Sequence, residues 1–163
     1  MGKKSKIFYY VVLLVNLVIF ILDLTTIEFP FFKISFGVTL VLIGLMLAIR
    51  AFSLKIDSSL FFGVTFLGLG TLNMIQYFCR NIFEAKQLWP YYLFVLALAS
   101  LLTGLYFKEK LQLKLFILFL GLGLILLLFV QHLINIWLTV GLMVAYFVCY
   151  FIFNLITARK RRQ

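Results

Sequence analysis

The stretch Leu113–Ile156, LKLFILFLGLGLILLLFVQHLINIWLTVGLMVAYFVCYFIFNLI, is an apolar run broken in its interior by Gln131-His132 and Asn135. As one helix it would be about 66 Å long at 1.5 Å per residue. That is twice the roughly 30 Å of a bilayer's hydrocarbon core. The run therefore predicts two membrane-spanning helices with a tight turn at Gln131-His132. Strands do not suit it, because Leu115-Phe116-Ile117-Leu118-Phe119-Leu120 lacks the apolar–polar alternation of a transmembrane barrel.

The same criterion extends outward to four earlier segments. The six expected spans are Ile7–Leu24, Phe32–Ile49, Leu60–Phe78, Trp89–Phe107, Leu113–Val130 and Leu133–Ile156. Composition agrees: 65% hydrophobic and 12% charged residues leave too little polar surface to cover a soluble domain. The fold expected is an all-α membrane protein, a single six-helix transmembrane domain over 1–163 with no soluble domain.

Orientation follows from the bases. Lys3, Lys4, Lys6, Arg50, Lys55, Lys108, Lys110, Lys114, Arg159, Lys160, Arg161 and Arg162 fall on one side of the six-span arrangement, and only Lys33, Arg80 and Lys86 on the other. Basic residues near span ends favour the cytoplasm, which places both termini there. The first segment has a basic start but no small-residue cleavage site, so it is expected to be retained. Position 6, where myristoylation wants Ser or Thr, is Lys6. The net charge of +10 reads as attraction to anionic headgroups at the cytoplasmic face, since no soluble fold exists to present it to nucleic acid.

Chemistry-bearing motifs are absent. Cys79 and Cys149 fall at different depths and read as packing residues. One histidine and five scattered acids cannot supply metal-ligand spacing. A Cys79–His132 nucleophile would have no third group to orient the imidazole. No enzyme, cofactor or metal is expected.

Small residues recur at helical spacing. Gly44 and Ala48, Ser100 and Gly104, and Gly141 and Ala145 are four apart, the arrangement that lets helix backbones approach. Gly37 and Gly44, and Gly63 and Gly70, are seven apart. Phe36-Gly37-Val38-Thr39 and Phe62-Gly63-Val64-Thr65 repeat four residues. Convergence on glycine-marked helices and a duplicated hairpin both account for this.

The Gly-rich helix Phe62–Gly70, a polar linker and Leu88-Trp89-Pro90 opening a second apolar helix together resemble the transmembrane hairpin of bacterial LiaI/LiaF-like envelope-stress proteins. The resemblance covers residues 59–107. Phe29-Pro30 and Ile136-Trp137 echo it, which would divide the chain into three such hairpins. Ala97 and Ala99 stand where that family tends to have glycine. The resemblance implies a protein of the bacterial cytoplasmic membrane that acts through partners without catalysing a reaction.

Polar residues within the spans supply the remaining lead. Asn73, Gln76, His132 and Asn135 map to the outer end, and Asn73 and Gln76 share a helix face. With Trp89 and Tyr92 at the rim, they would form a shallow outward-facing pocket. Two functions follow as expectations. One is a subunit or modulator of a membrane complex, packing against a membrane protein partner or its own copies through Gly44, Ala48, Gly63, Gly70, Ser100, Gly104, Gly141 and Ala145. The alternative is a small-solute or lipid-binding component of transport using the outer pocket.

The topology is directly testable. Compartment reporters fused at Gln163 and within Asn81–Gln87 are expected on opposite sides of the membrane. The same compartment for both would refute six crossings.

Overall fold

The structure, a computed structural model, describes residues 31–79 and 85–159, together with Tyr10, Val11, Leu14, Val15 and Val18 of the first apolar segment. The remainder of the expected first span, Ile7–Leu24, lies outside the described residues. Five helices follow one another: α1 (Phe31–Leu54), α2 (Asp57–Phe78), α3 (Ala85–Phe107), α4 (Lys110–Val130) and α5 (Ile136–Arg159). They contain 21 to 24 residues, or about 32–36 Å each. All five are long and apolar enough to cross a membrane, so the chain is a multi-pass, all-helical membrane protein. No strand occurs among the described residues.

Among the described residues, close backbone approach joins each helix only to its neighbours in the chain, so the backbones form an antiparallel series. The tightest pair is α1–α2, and glycine is the reason. A Cβ on Gly44 would lie 2.6 Å from the Leu67 amide nitrogen and 2.8 Å from the Gly63 carbonyl oxygen. One on Gly63 would lie 2.7 Å from the Ala48 nitrogen, and one on Gly70 would lie 2.6 Å from the Gly37 oxygen. These are backbone atoms with nowhere to move. The seven-residue spacing on each helix thus becomes two reciprocal levels of contact, Gly44 with Gly63 and Gly37 with Gly70. In lipid, where burying apolar side chains between helices gains little, such close approach supplies the dispersion energy that holds a pair together.

The repeated tetrapeptide lies on the two arms of this hairpin, at 36–39 in α1 and 62–65 in α2. The close pairs, α1–α2 and α3–α4, do not coincide with the three-hairpin division expected from the sequence. The region resembling the LiaI/LiaF-like hairpin joins one close pair to the next. Between those pairs Gly68 of α2 receives Val95 of α3, and Phe52 of α1 meets Tyr106 of α3 edge to face at 5.2 Å. Ala51, Leu60, Leu88, Ala97 and Ala99 are the buried hydrophobic residues among those described.

Three helix ends share one device. Lys55, Lys108 and His132 have φ of 54°, 56° and 57°. In each case the following amide reaches back five residues: Ile56 to the Ala51 carbonyl at 3.3 Å, Glu109 to Gly104 at 3.0 Å and Leu133 to Leu128 at 3.0 Å. This is the left-handed helix stop that glycine usually occupies, and a side chain there costs about 1 kcal/mol. No described glycine has positive φ. Among the described residues, every glycine but Gly141 serves a close contact, and three helices stop with Lys, Lys and His.

Several helix boundaries differ from expectation. α1 runs past Ile49 to Leu54, since Arg50 and Ser53 in its last turns are exposed and reach the polar edge. α2 and α4 begin three residues early, at Asp57 and Lys110. Helix α3 begins at Ala85 and contains Pro90, instead of opening at Trp89-Pro90. As the sixth residue of the helix, Pro90 lies just past the first-turn amides that lack intrahelical partners and removes the one bond that position 90 would make to the Lys86 carbonyl. α5 starts at Ile136, later than Leu133, because Asn135 caps it: the Leu138 amide donates to Asn135 Oδ1 at 2.8 Å.

Gly44→Ala and Gly63→Ala are expected to lower stability by about 1–3 kcal/mol through overlap with backbone. Gly141→Ala, whose Cβ would meet nothing within 4 Å, should be neutral or gain a few tenths from helix propensity. Thermal unfolding in one detergent checks the contrast. Equal effects at the three positions would refute the glycine-contact account.

Candidate functional site

Alternating helix direction brings the ends of α2 and α4 and the starts of α3 and α5 to one side. There Asn73, Gln76 and Tyr92 are half-buried, and Trp89 is exposed. These four lie on the adjoining helices α2 and α3. His132 and Asn135 belong instead to the α4–α5 connection, and no close backbone approach links α2 to α5 among the described residues. His132 is the exposed left-handed residue of its turn, and Asn135 spends its carbonyl oxygen on the α5 cap. The outer polar residues thus fall into two groups, an α2–α3 face and a helix-stop turn.

The expected packing residues also divide. Gly44, Ala48, Gly63 and Gly70 meet across α1–α2, and Gly104 meets Leu113 across α3–α4. Ser100 is fully buried on α3. Gly141 and Ala145 lie on an exposed face of α5. Helix α5 gives α4 a narrow stripe comprising buried Thr139 and half-buried Met143, Tyr146 and Tyr150. The Tyr146 ring lies over Gly121, and its hydroxyl donates to the Ile117 carbonyl.

Three buried side-chain oxygens, Ser100 Oγ, Thr103 Oγ1 and Gln112 Oε1, have no hydrogen-bond partner. Other hydroxyls are satisfied by their own helix, as where Thr65 donates to the Phe61 carbonyl at 2.8 Å and Thr139 to Asn135 at 2.9 Å. Among the described residues, no three His, Cys, Asp or Glu side chains gather where a metal would bind. Both cysteines are free thiols.

At the opposite end the structure makes a pairing that sequence reading missed. The α1–α2 and α3–α4 turns lie side by side, and Asp57 of one faces Glu109 of the other. Each acid sits at a helix start, Asp57 in the first turn of α2 and Glu109 at the N-cap of α4. Helix dipoles favour a negative charge at both places, which explains two like charges in one corner. Desolvation, then the facing Asp57 carboxylate and the hydrogen bond between the two, raise the Glu109 pKa above the ordinary 4.5. The sequence showed them only as two of five scattered acids, because their meeting depends on which hairpins adjoin.

The sign of the linkage follows. A carboxyl group whose folded pKa is raised binds more protons folded than unfolded, so stability falls as pH rises from 4.5 through the raised value. Acidification toward pH 5 is expected to stabilise wild type more than Glu109→Gln, in which that titration is gone. Melting temperatures of the two proteins across pH 4.5–7.5 check this; parallel curves would refute it.

Comparison with known proteins finds no match to any family model, to any curated protein or to any solved structure.

Proposed function

We propose that the chain is a non-enzymatic subunit or modulator of a membrane complex, with the exposed face of α5 as its docking helix. One observation carries this. Eight of the nine described glycines have a neighbouring side chain or backbone within 3.4 Å of where a Cβ would stand; Gly141 alone has nothing within 4 Å. Glycine weakens a helix, and elsewhere in this chain that cost accompanies a close contact. At Gly141 the contact is to another membrane protein. Ala145 and Cys149 continue the small-residue line one and two turns on, with exposed Leu138, Leu142 and Val148 beside it. The resemblance of residues 59–107 to LiaI/LiaF-like hairpins supports a bacterial envelope complex in the cytoplasmic membrane, and the basic ends support cytoplasmic termini.

A second reading, binding of a small solute or lipid at the outer end, is favoured by Asn73 and Gln76, half-buried amides on one face of α2. On that reading Trp89 and Tyr92 of α3 supply the apolar wall, and His132 and Asn135 a polar edge.

Copurification after mild detergent extraction separates the two. Ala145→Phe is expected to release a stoichiometric protein partner at least tenfold while leaving the melting temperature unchanged. Asn73→Leu with Gln76→Leu should leave that partner bound. Release by the α2 pair and not by Ala145→Phe would overturn the docking helix in favour of the outer site.

A further inference from the structure

Three lysines occupy positions that the fold alone does not favour. Lys55 and Lys108 hold the left-handed helix stops that suit glycine. Lys110 sits in the first turn of α4, where the helix dipole disfavours a cation. The side chains of all three are exposed. The edge-to-face contact of Phe52 with Tyr106 holds the two turns together, and Asp57 and Glu109 are turned toward each other between them. On the turns themselves three bases stand against two acids, a formal +1, and Arg50 on α1 and Lys114 on α4 lie one helical turn away on each chain segment. None of these bases forms a salt bridge among the described residues.

We infer that the paired turns 54–57 and 107–110 bind the phosphodiester headgroup of an anionic phospholipid. The lysines of both turns supply the donors that charge-assisted phosphate binding needs. A lipid is the occupant, in preference to a soluble anion, because the cationic turns sit directly on exposed apolar surface. Phe52, Leu54, Leu105, Tyr106 and Leu111 are 49 to 66% exposed at the adjoining helix ends, so headgroup and acyl chains would both find a partner. The facing carboxylates limit the charge at the centre and leave the anion to the lysines on the flanks. The inference rests on the chain being a membrane protein and is independent of the α5 docking face.

The test uses the full chain reconstituted with equal phosphatidylglycerol and phosphatidylcholine, with retained lipid counted by native mass spectrometry. Wild type is expected to keep phosphatidylglycerol preferentially. Lys55→Gly with Lys108→Gly removes both ammonium groups while supplying the residue that the left-handed stops favour. This variant should keep or raise the melting temperature and lower the retained ratio by roughly tenfold or more. Lys160→Gly with Arg161→Gly, an equal charge change in the C-terminal tail, should leave the ratio unchanged. Equal loss in the tail variant would mean bulk attraction, and unchanged retention in the turn variant would mean no site; either overturns the inference. Displacement by millimolar glycerophosphoglycerol, the headgroup without chains, would replace the lipid with a soluble anion and overturn it too.

Discussion

Backbone contact between Gly44 and Gly63, repeated one level along by Gly37 and Gly70, is the constraint on which the architecture depends. It brings α1 and α2 closer than any side chain larger than hydrogen permits. Lipid competes for apolar side chains as well as a neighbouring helix does, so affinity between helices must come from contact area at short range. A connection of two residues, Lys55-Ile56, follows from that closeness. The α3–α4 pair repeats the solution with Gly104 against Leu113 and the connection Lys108-Glu109.

Setting two such hairpins side by side forces their turns together, and electrostatics at that corner is the consequence. Both α2 and α4 start there, and each start attracts an acid. The acids then face each other, and Glu109 holds its proton to higher pH than a lone glutamate would. Around them stand bases that form no salt bridge among the described residues. The corner therefore combines residual positive charge, internal carboxyl repulsion and an apolar rim, a combination suited to the boundary between headgroups and acyl chains.

The sequence made the class and most helices legible because span length and charge asymmetry are local signals. Gly44, Gly63 and Gly70 were also legible as packing positions, since a glycine in an apolar helix has few other uses. Helix pairing was not. The tetrapeptide at 36–39 and 62–65 is compatible with convergence on glycine-marked helices and with a duplicated hairpin, and the structure places its two copies on the two arms of one close pair. Asn135 read as an intramembrane polar residue although it is a helix cap, because three apolar residues around it extended the run. The Asp57–Glu109 meeting required knowing which turns adjoin. Gly141 carried the same spacing signal as the other glycines, yet among the described residues nothing lies within 4 Å of where its Cβ would stand.

That contrast shapes the proposed function: interior glycines hold the chain to itself, and the outward one is where the proposal puts a partner. The reading stands on the glycine contacts being real in a bilayer. Ten glycines in the chain make selective labelling practical. Magic-angle-spinning NMR of ¹³C-glycine protein in lipid bilayers measures the contacts without any substitution. The account predicts through-space cross-peaks linking Gly44 to Gly63 and Gly37 to Gly70, and none from Gly141 to another glycine of the same chain. Absence of the first two in folded, bilayer-embedded protein would contradict it.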